Sequence, residues 1–306
     1  MVYKEQIDGL RKVVKGVLLT DRPMKEYTSW KVGGTADAIV FPKDLEDTVR
    51  IIKYLTEEQI PYFVLGNGTN LLVRDGGIRD IVISLSHGFK RIELLKEDKS
   101  PMLFAEAGVL LGSLIRFSID HSLSGLEFAA GIPGTVGGGL AMNAGGHFGE
   151  LKDITHSISI LNRNGRIITQ EREDLRFSYR NLQLSDSTVI LSALFELKIN
   201  SQSHIRDRIE KILGERKATQ PLDLPSAGSI FKNPKGMSAG KLIDRAGLKG
   251  AQVGGAMVSE RHANFILNLG NATAKDVLSL IGEIQEKVYQ ETGLILEPEI
   301  RIIGEN

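Results

Sequence analysis

The chain of 306 residues contains no cysteine. Disulfides, thiolate nucleophiles, iron–sulfur ligation and cysteinyl attachment of a cofactor are therefore excluded. Charge of one sign is not in excess: 38 Lys and Arg balance 38 Asp and Glu, and no long run of like charge occurs. Nucleic acid and anionic membrane are poor main partners for such a chain, although a local basic pocket stays open. Long apolar runs are missing as well. The stretch around residues 13–19 is broken by Lys15 and is too short to span a bilayer, and Lys4 and Glu5 put charge at the start. A cytoplasmic protein, neither exported nor inserted, with no obligate protein partner, is the expectation. There is no HExxH or acidic cluster and the six histidines are scattered, so a catalytic metal has little support. No repeat or low-complexity segment occurs.

The length suffices for a substantial core in two or three domains. Periodicity predicts a helix over 3–15, a strand over 37–41 ended by Pro42, and a helix started by Asp44 or Asp47 with Val49, Ile52 and Leu55 on one face. Short apolar runs at 62–65, 71–73, 81–85, 92–95 and 103–105 read as strands. A helix over 111–121 follows, then strands 157–161 and 166–169 flanking Asn164-Gly165, a pair suited to a type I′ hairpin turn. A strand over 188–198 and a helix over 205–217 lead to a last domain whose boundary is expected near Ser201. There, helices are predicted over 239–246 and 273–291. The second is capped by Thr273, and Val277, Leu280, Ile281, Ile284 and Val288 lie at helical spacing as core. A strand over 294–303 closes the chain, with Pro298 at an edge or bulge.

Two glycine-rich segments stand out. Gly66, Asn67, Gly68, Thr69 and Asn70 lie between two predicted strands and alone are best read as a turn. Gly131, Ile132, Pro133, Gly134, Thr135, Val136, Gly137, Gly138 and Gly139 precede Asn143, Ala144 and Gly145. Such glycine density costs backbone entropy and implies close approach of another group. If Thr135 opens a helix, its free N–H groups favour a pyrophosphate. Neither segment is a Rossmann fingerprint, and the nearest Walker-like run, at 236–242, has the wrong spacing and Leu242 where Ser or Thr is needed.

Taken with Trp30-Lys31-Val32-Gly33-Gly34, Phe177-Ser178-Tyr179-Arg180, Gly228-Ser229-Ile230-Phe231-Lys232-Asn233-Pro234 and Leu296-Glu297-Pro298-Glu299-Ile300-Arg301, these loops resemble the UDP-N-acetylenolpyruvoylglucosamine reductase (MurB) family over nearly the whole length and in its order. The resemblance implies an α+β fold: an FAD-binding domain of the vanillyl-alcohol-oxidase and p-cresol-methylhydroxylase type in two subdomains (1–86 and 87–201), and a C-terminal substrate domain (202–306). It also implies non-covalent FAD, NADPH as electron donor, and reduction of the enolpyruvyl ether of a UDP-sugar for peptidoglycan precursor synthesis.

Site residues follow from the same resemblance. Ser229 matches the proton donor, Glu299 the catalytic glutamate and Arg180 the arginine that faces a carboxylate gaining charge. Without the family context they read as a cap, a surface carboxylate and a salt-bridge residue. Gly66, Asn67, Gly68, Thr69, Asn70, Gly131, Ile132, Pro133, Gly134, Thr135, Gly137, Gly138, Asn143, Ala144 and Gly145 are the expected cofactor contacts. Tyr179, Lys232 and Asn233 are the expected substrate contacts, while Glu297 and His262 are left without a role. The sequence departs from the family at Gly146-His147-Phe148, from which no contact is carried over. The short connection from Arg180 to Thr188 matches the second, shorter type of the enzyme. An oxidase of the same flavin superfamily and a non-catalytic nucleotide-sugar sensor are the competing readings. Ser229, Glu299 and Arg180 in family context weigh against both.

Overall fold

The computed structural model describes residues 4–96, 100–185 and 187–306. Its contacts group the chain into two units: Met1–Thr20, Ala38–Asn67 and Asp80–Arg216 form the first, Asp21–Asp37, Gly68–Arg79 and Lys217–Asn306 the second. Each has its own apolar core. The expected last boundary lies near Ser201. The helix Gln202–Thr219 begins just past that point, and its Ile209 packs against the first core.

In the first unit, Asp44 caps the helix Leu45–Glu57 by accepting from Asp47 N, which decides between the two candidate starts. Asp47 has another task. Its fully buried carboxylate accepts from the backbone amides of Lys15, Gly16 and Lys43 at 2.9, 2.8 and 2.9 Å, tying three loop amides to one helix. The strand Tyr62–Leu65 runs parallel to Ile78–Ser84, with Tyr62 opposite Ile81. A five-stranded antiparallel sheet follows, in the order Ile167–Glu171, Thr155–Leu161, Val189–Glu196, Met102–Glu106, Ile92–Lys96.

The hairpin at Asn164-Gly165 forms, but not through a type I′ turn. Only Gly165 has positive φ (71°), and Asn162 Oδ1 accepts from the amides of Asn164 and Arg166, at 3.0 Å each. A side chain two positions before Asn164 has taken over the turn.

In the second unit the helix Ala274–Thr292 buries Val277, Leu280, Ile281, Ile284 and Val288, as the spacing predicts. Thr273 and Asp276 form a capping box, and Asp75 accepts from the next amides, Ala274 and Lys275, at 2.8 and 2.9 Å. The antiparallel strands Gln252–Val253, Ala256–Val258 and Ile266–Asn268 form a small sheet. The closing strand is shorter than expected: Arg301–Ile303 alone pairs, parallel to Leu71–Val73, and Pro298 makes an isolated bridge to Phe231. Proline lacks the N–H that would continue a ladder.

Candidate active site

Gly66, at the start of the first glycine-rich segment, meets the second segment within the first unit. A Cβ at Gly66 would lie 3.0 Å from Thr135 Oγ1 and 3.5 Å from Gly138 Cα, so a larger residue there would crowd the Thr135 hydroxyl. Thr135 does open a helix, Val136–Ala141, and its Oγ1 accepts from Gly138 N at 3.3 Å. The expectation of free N–H groups there is corrected. Val136 N donates to Val109 O and Gly137 N to Ala107 O, at 2.8 and 2.9 Å, so the first helical amides are spent on neighbouring backbone. Part of the glycine density serves that packing. A Cβ at Gly137 would lie 2.9 Å from the Cβ of Ala107.

A charged group that sequence reasoning missed sits beside the second loop. Gly131 has φ of 74°, and a Cβ there would lie 3.0 Å from Arg216 Nε. That Nε is buried and has no hydrogen-bond partner among the described residues, and burial pushes the guanidinium below its ordinary pKa. A buried donor on a cation is costly unless an anion meets it. A guanidinium with an orphaned Nε–H against a glycine-rich loop is a fit for a dinucleotide carrying phosphate.

Asn143 is fully buried, with φ of 42°. Its amide donates to Glu150 Oε2 and Ser178 O at 2.9 and 3.1 Å and accepts from Lys152 N at 3.1 Å. Ser178 belongs to the hairpin Phe177–Ser178 and Asn181–Leu182, whose turn is Tyr179-Arg180. Arg180 holds φ of 58°, uncommon for a side-chain-bearing residue, with its guanidinium carbon 5.1 Å from the Tyr179 ring centroid. Tyr179 is exposed.

In the second unit the segments carrying Ser229 and Glu299 run side by side. Glu299 N donates to Ile230 O at 2.7 Å and Lys232 N to Glu297 O at 2.8 Å. Asn70 Nδ2 donates to Glu299 O at 3.0 Å, so the Glu299 main chain is held on both sides. Asn264, another residue missed, clamps the segment after Ser229: Phe231 N donates to its Oδ1 at 3.0 Å, and its Nδ2 donates to Phe231 O at 2.9 Å. Lys232 pairs with Glu297, which gives Glu297 a partner. Asn233 Oδ1 accepts from Ala239 N at 3.0 Å, beside the helix Ala239–Arg245. His262 is pushed below its ordinary pKa by burial, and its Nδ1 accepts from Asn264 N at 3.2 Å, which leaves the proton on Nε2. Among the described residues no group of three or more His, Asp or Glu could hold a metal, and no helix is long and apolar enough to cross a membrane. His147 and Phe148 are exposed.

Residues 220–303 match the family profile described as UDP-N-acetylenolpyruvoylglucosamine reductase, C-terminal domain, and residues 36–170 match that of an FAD binding domain. The UDP-N-acetylenolpyruvoylglucosamine reductase of Syntrophus aciditrophicus is 46% identical over 99% of this chain and 96% of its own. That of Caldanaerobacter subterraneus subsp. tengcongensis is 44% identical over 98% of each. The chain belongs to the UDP-N-acetylenolpyruvoylglucosamine reductase family. A crystal structure of the family enzyme from Thermus caldophilus superposes with TM-score 0.81 at 38% identity, covering 95% of this chain and 99% of that one. The FAD-binding domain match spans both glycine-rich segments, and the C-terminal domain match spans Ser229 and Glu299.

Proposed function

We propose that the protein is a cytoplasmic, FAD-dependent UDP-N-acetylmuramate dehydrogenase that uses NADPH to reduce the enolpyruvyl ether of UDP-N-acetylglucosamine to the lactyl ether. The observation that carries this reading is the pairing of the Ser229 and Glu299 segments by Glu299 N and Ile230 O in a chain of this family. When bound, FAD supplies the hydride, taken from NADPH, that is delivered to the terminal vinyl carbon.

The residues at 66–70, 131–135, 137, 138, 144 and 145 and the guanidinium of Arg216 hold the dinucleotide. Asn70 serves there through its backbone, because its Nδ2 is committed to Glu299 O; Asn143, expected as a cofactor contact, is fully buried and braces Glu150 and Ser178 instead of touching the dinucleotide. Addition at the vinyl carbon leaves negative charge on the neighbouring carbon and its carboxylate. Arg180 holds that carboxylate, since a fixed guanidinium suits an anion gaining charge. Ser229 gives its hydroxyl proton to the carbanion-like carbon, one of the few acceptors basic enough to take it. Glu299 polarises or protonates the developing enolate. Tyr179, Lys232 and Asn233 line the approach of the sugar nucleotide. The purified protein with NADPH and the enolpyruvyl sugar nucleotide should yield a product heavier by two hydrogen atoms. Recovery of unchanged substrate from FAD-loaded protein would contradict the reading.

A further inference from the structure

Asn143 occupies a junction in the first unit. It follows the helix Val136–Ala141, where Asn143 N donates to Leu140 O at 2.9 Å and Ala144 N to Gly139 O at 2.8 Å. Those two bonds form a Schellman helix end, whose penultimate position takes a left-handed residue, usually glycine and sometimes asparagine. Here asparagine adds what glycine lacks. Its side chain bonds Glu150 and the amide of Lys152 on one side and the carbonyl of Ser178, 35 residues along, on the other.

We infer that Asn143 is a positioning residue that fixes the Arg180 turn to the end of the glycine-rich helix. This rests on the role of Arg180 proposed above. Ser178 O lies two residues before Arg180 in a two-residue hairpin turn, so a shift of that carbonyl shifts the turn. The left-handed backbone of Arg180 is an unfavourable conformation that surrounding bonds must hold. Asn143 Nδ2 supplies one such bond from a site that is fully buried, where no water can substitute. Its amide is thereby used up, and its effect on turnover passes through Arg180 rather than through a flavin contact.

The test is a double-mutant cycle on FAD-loaded protein. Asn143→Gly keeps the left-handed helix end and removes the amide; Asn143→Asp keeps the shape and loses the donors. Each should slow reoxidation of the reduced flavin by the enolpyruvyl substrate roughly 10- to 100-fold, the scale of a misplaced positioning group. FAD affinity and reduction by NADPH should stay within about threefold of wild type, because binding and reductive steps do not use Arg180. In an Arg180→Ala background, neither Asn143 substitution should slow reoxidation further. If the Asn143 and Arg180 effects multiply, or if Asn143→Asp behaves as wild type, the inference is overturned and the role of Arg180 stands. If Arg180→Ala alone leaves reoxidation unchanged, both fall.

Discussion

Glu299 donates its backbone amide to the carbonyl of Ile230 at 2.7 Å. That bond joins two segments far apart in the chain and sets Ser229 and Glu299, the residues expected to handle the proton and the enolate, on neighbouring extended segments joined by the isolated bridge of Phe231 and Pro298. Asn264 and Asn70 brace the same pairing from either side, one through Phe231 and the other through Glu299 O. Three asparagine side chains (70, 143 and 264) thus act as main-chain mimics, each satisfying backbone groups that no regular ladder reaches.

Ser229→Ala separates the two halves of the reaction. Reduction of the flavin by NADPH should keep its wild-type rate, while reoxidation by the enolpyruvyl substrate should slow by about 10²–10⁴-fold, the usual contribution of a positioned acid. Stopped-flow absorbance follows each half in turn. Equal loss in both would remove Ser229 as the proton donor.

Arg216→Gln should weaken FAD binding by about tenfold or more, the scale of a hydrogen bond to a charged group. Arg216→Lys should recover part of the loss, and raised salt should narrow the gap between wild type and Arg216→Gln. Fluorescence quenching during FAD titration measures all three. Unchanged affinity in Arg216→Gln would mean that the guanidinium meets no part of the cofactor.

Much of this was legible beforehand where the signal is local. The strands Tyr62–Leu65 and Leu71–Val73 are predicted to the residue, and the Thr273 cap with its apolar stripe marks the helix Ala274–Thr292. Local signals fail where a distant or competing partner decides. The Asn162 side chain displaces the type I′ turn, and Pro298 with its bridge to Phe231 shortens the last strand. The strand Val17–Pro23 escapes notice because its second half is Thr-Asp-Arg, with Asp21 at φ of 52°. Arg216 carries no sequence mark at all: it lies in the last turn of a charged helix, and only the burial of its Nε against Gly131 distinguishes it.

Asp47 couples stability of the first unit to pH. Burial raises the pKa of its carboxyl, but three backbone amides and Arg50 outweigh that and leave it below the ordinary value of 3.8. A depressed folded-state pKa contributes stability that is fully present above the unfolded value and lost as pH falls through the folded one. Asp47→Asn should therefore cost about 2–3 kcal/mol at pH 7. The deficit should shrink as pH drops below about 3.8, where wild type loses its own contribution. Urea unfolding at neutral and acid pH checks both. A deficit independent of pH would place the effect in packing rather than charge.

The most direct test of the central claim is an anaerobic absorbance titration of the FAD-loaded protein, first with NADPH and then with the enolpyruvyl sugar nucleotide. The account predicts that the oxidised flavin spectrum bleaches with one equivalent of NADPH and returns with one equivalent of substrate. A protein that binds no FAD, or a bleached flavin that only oxygen can restore, would contradict it.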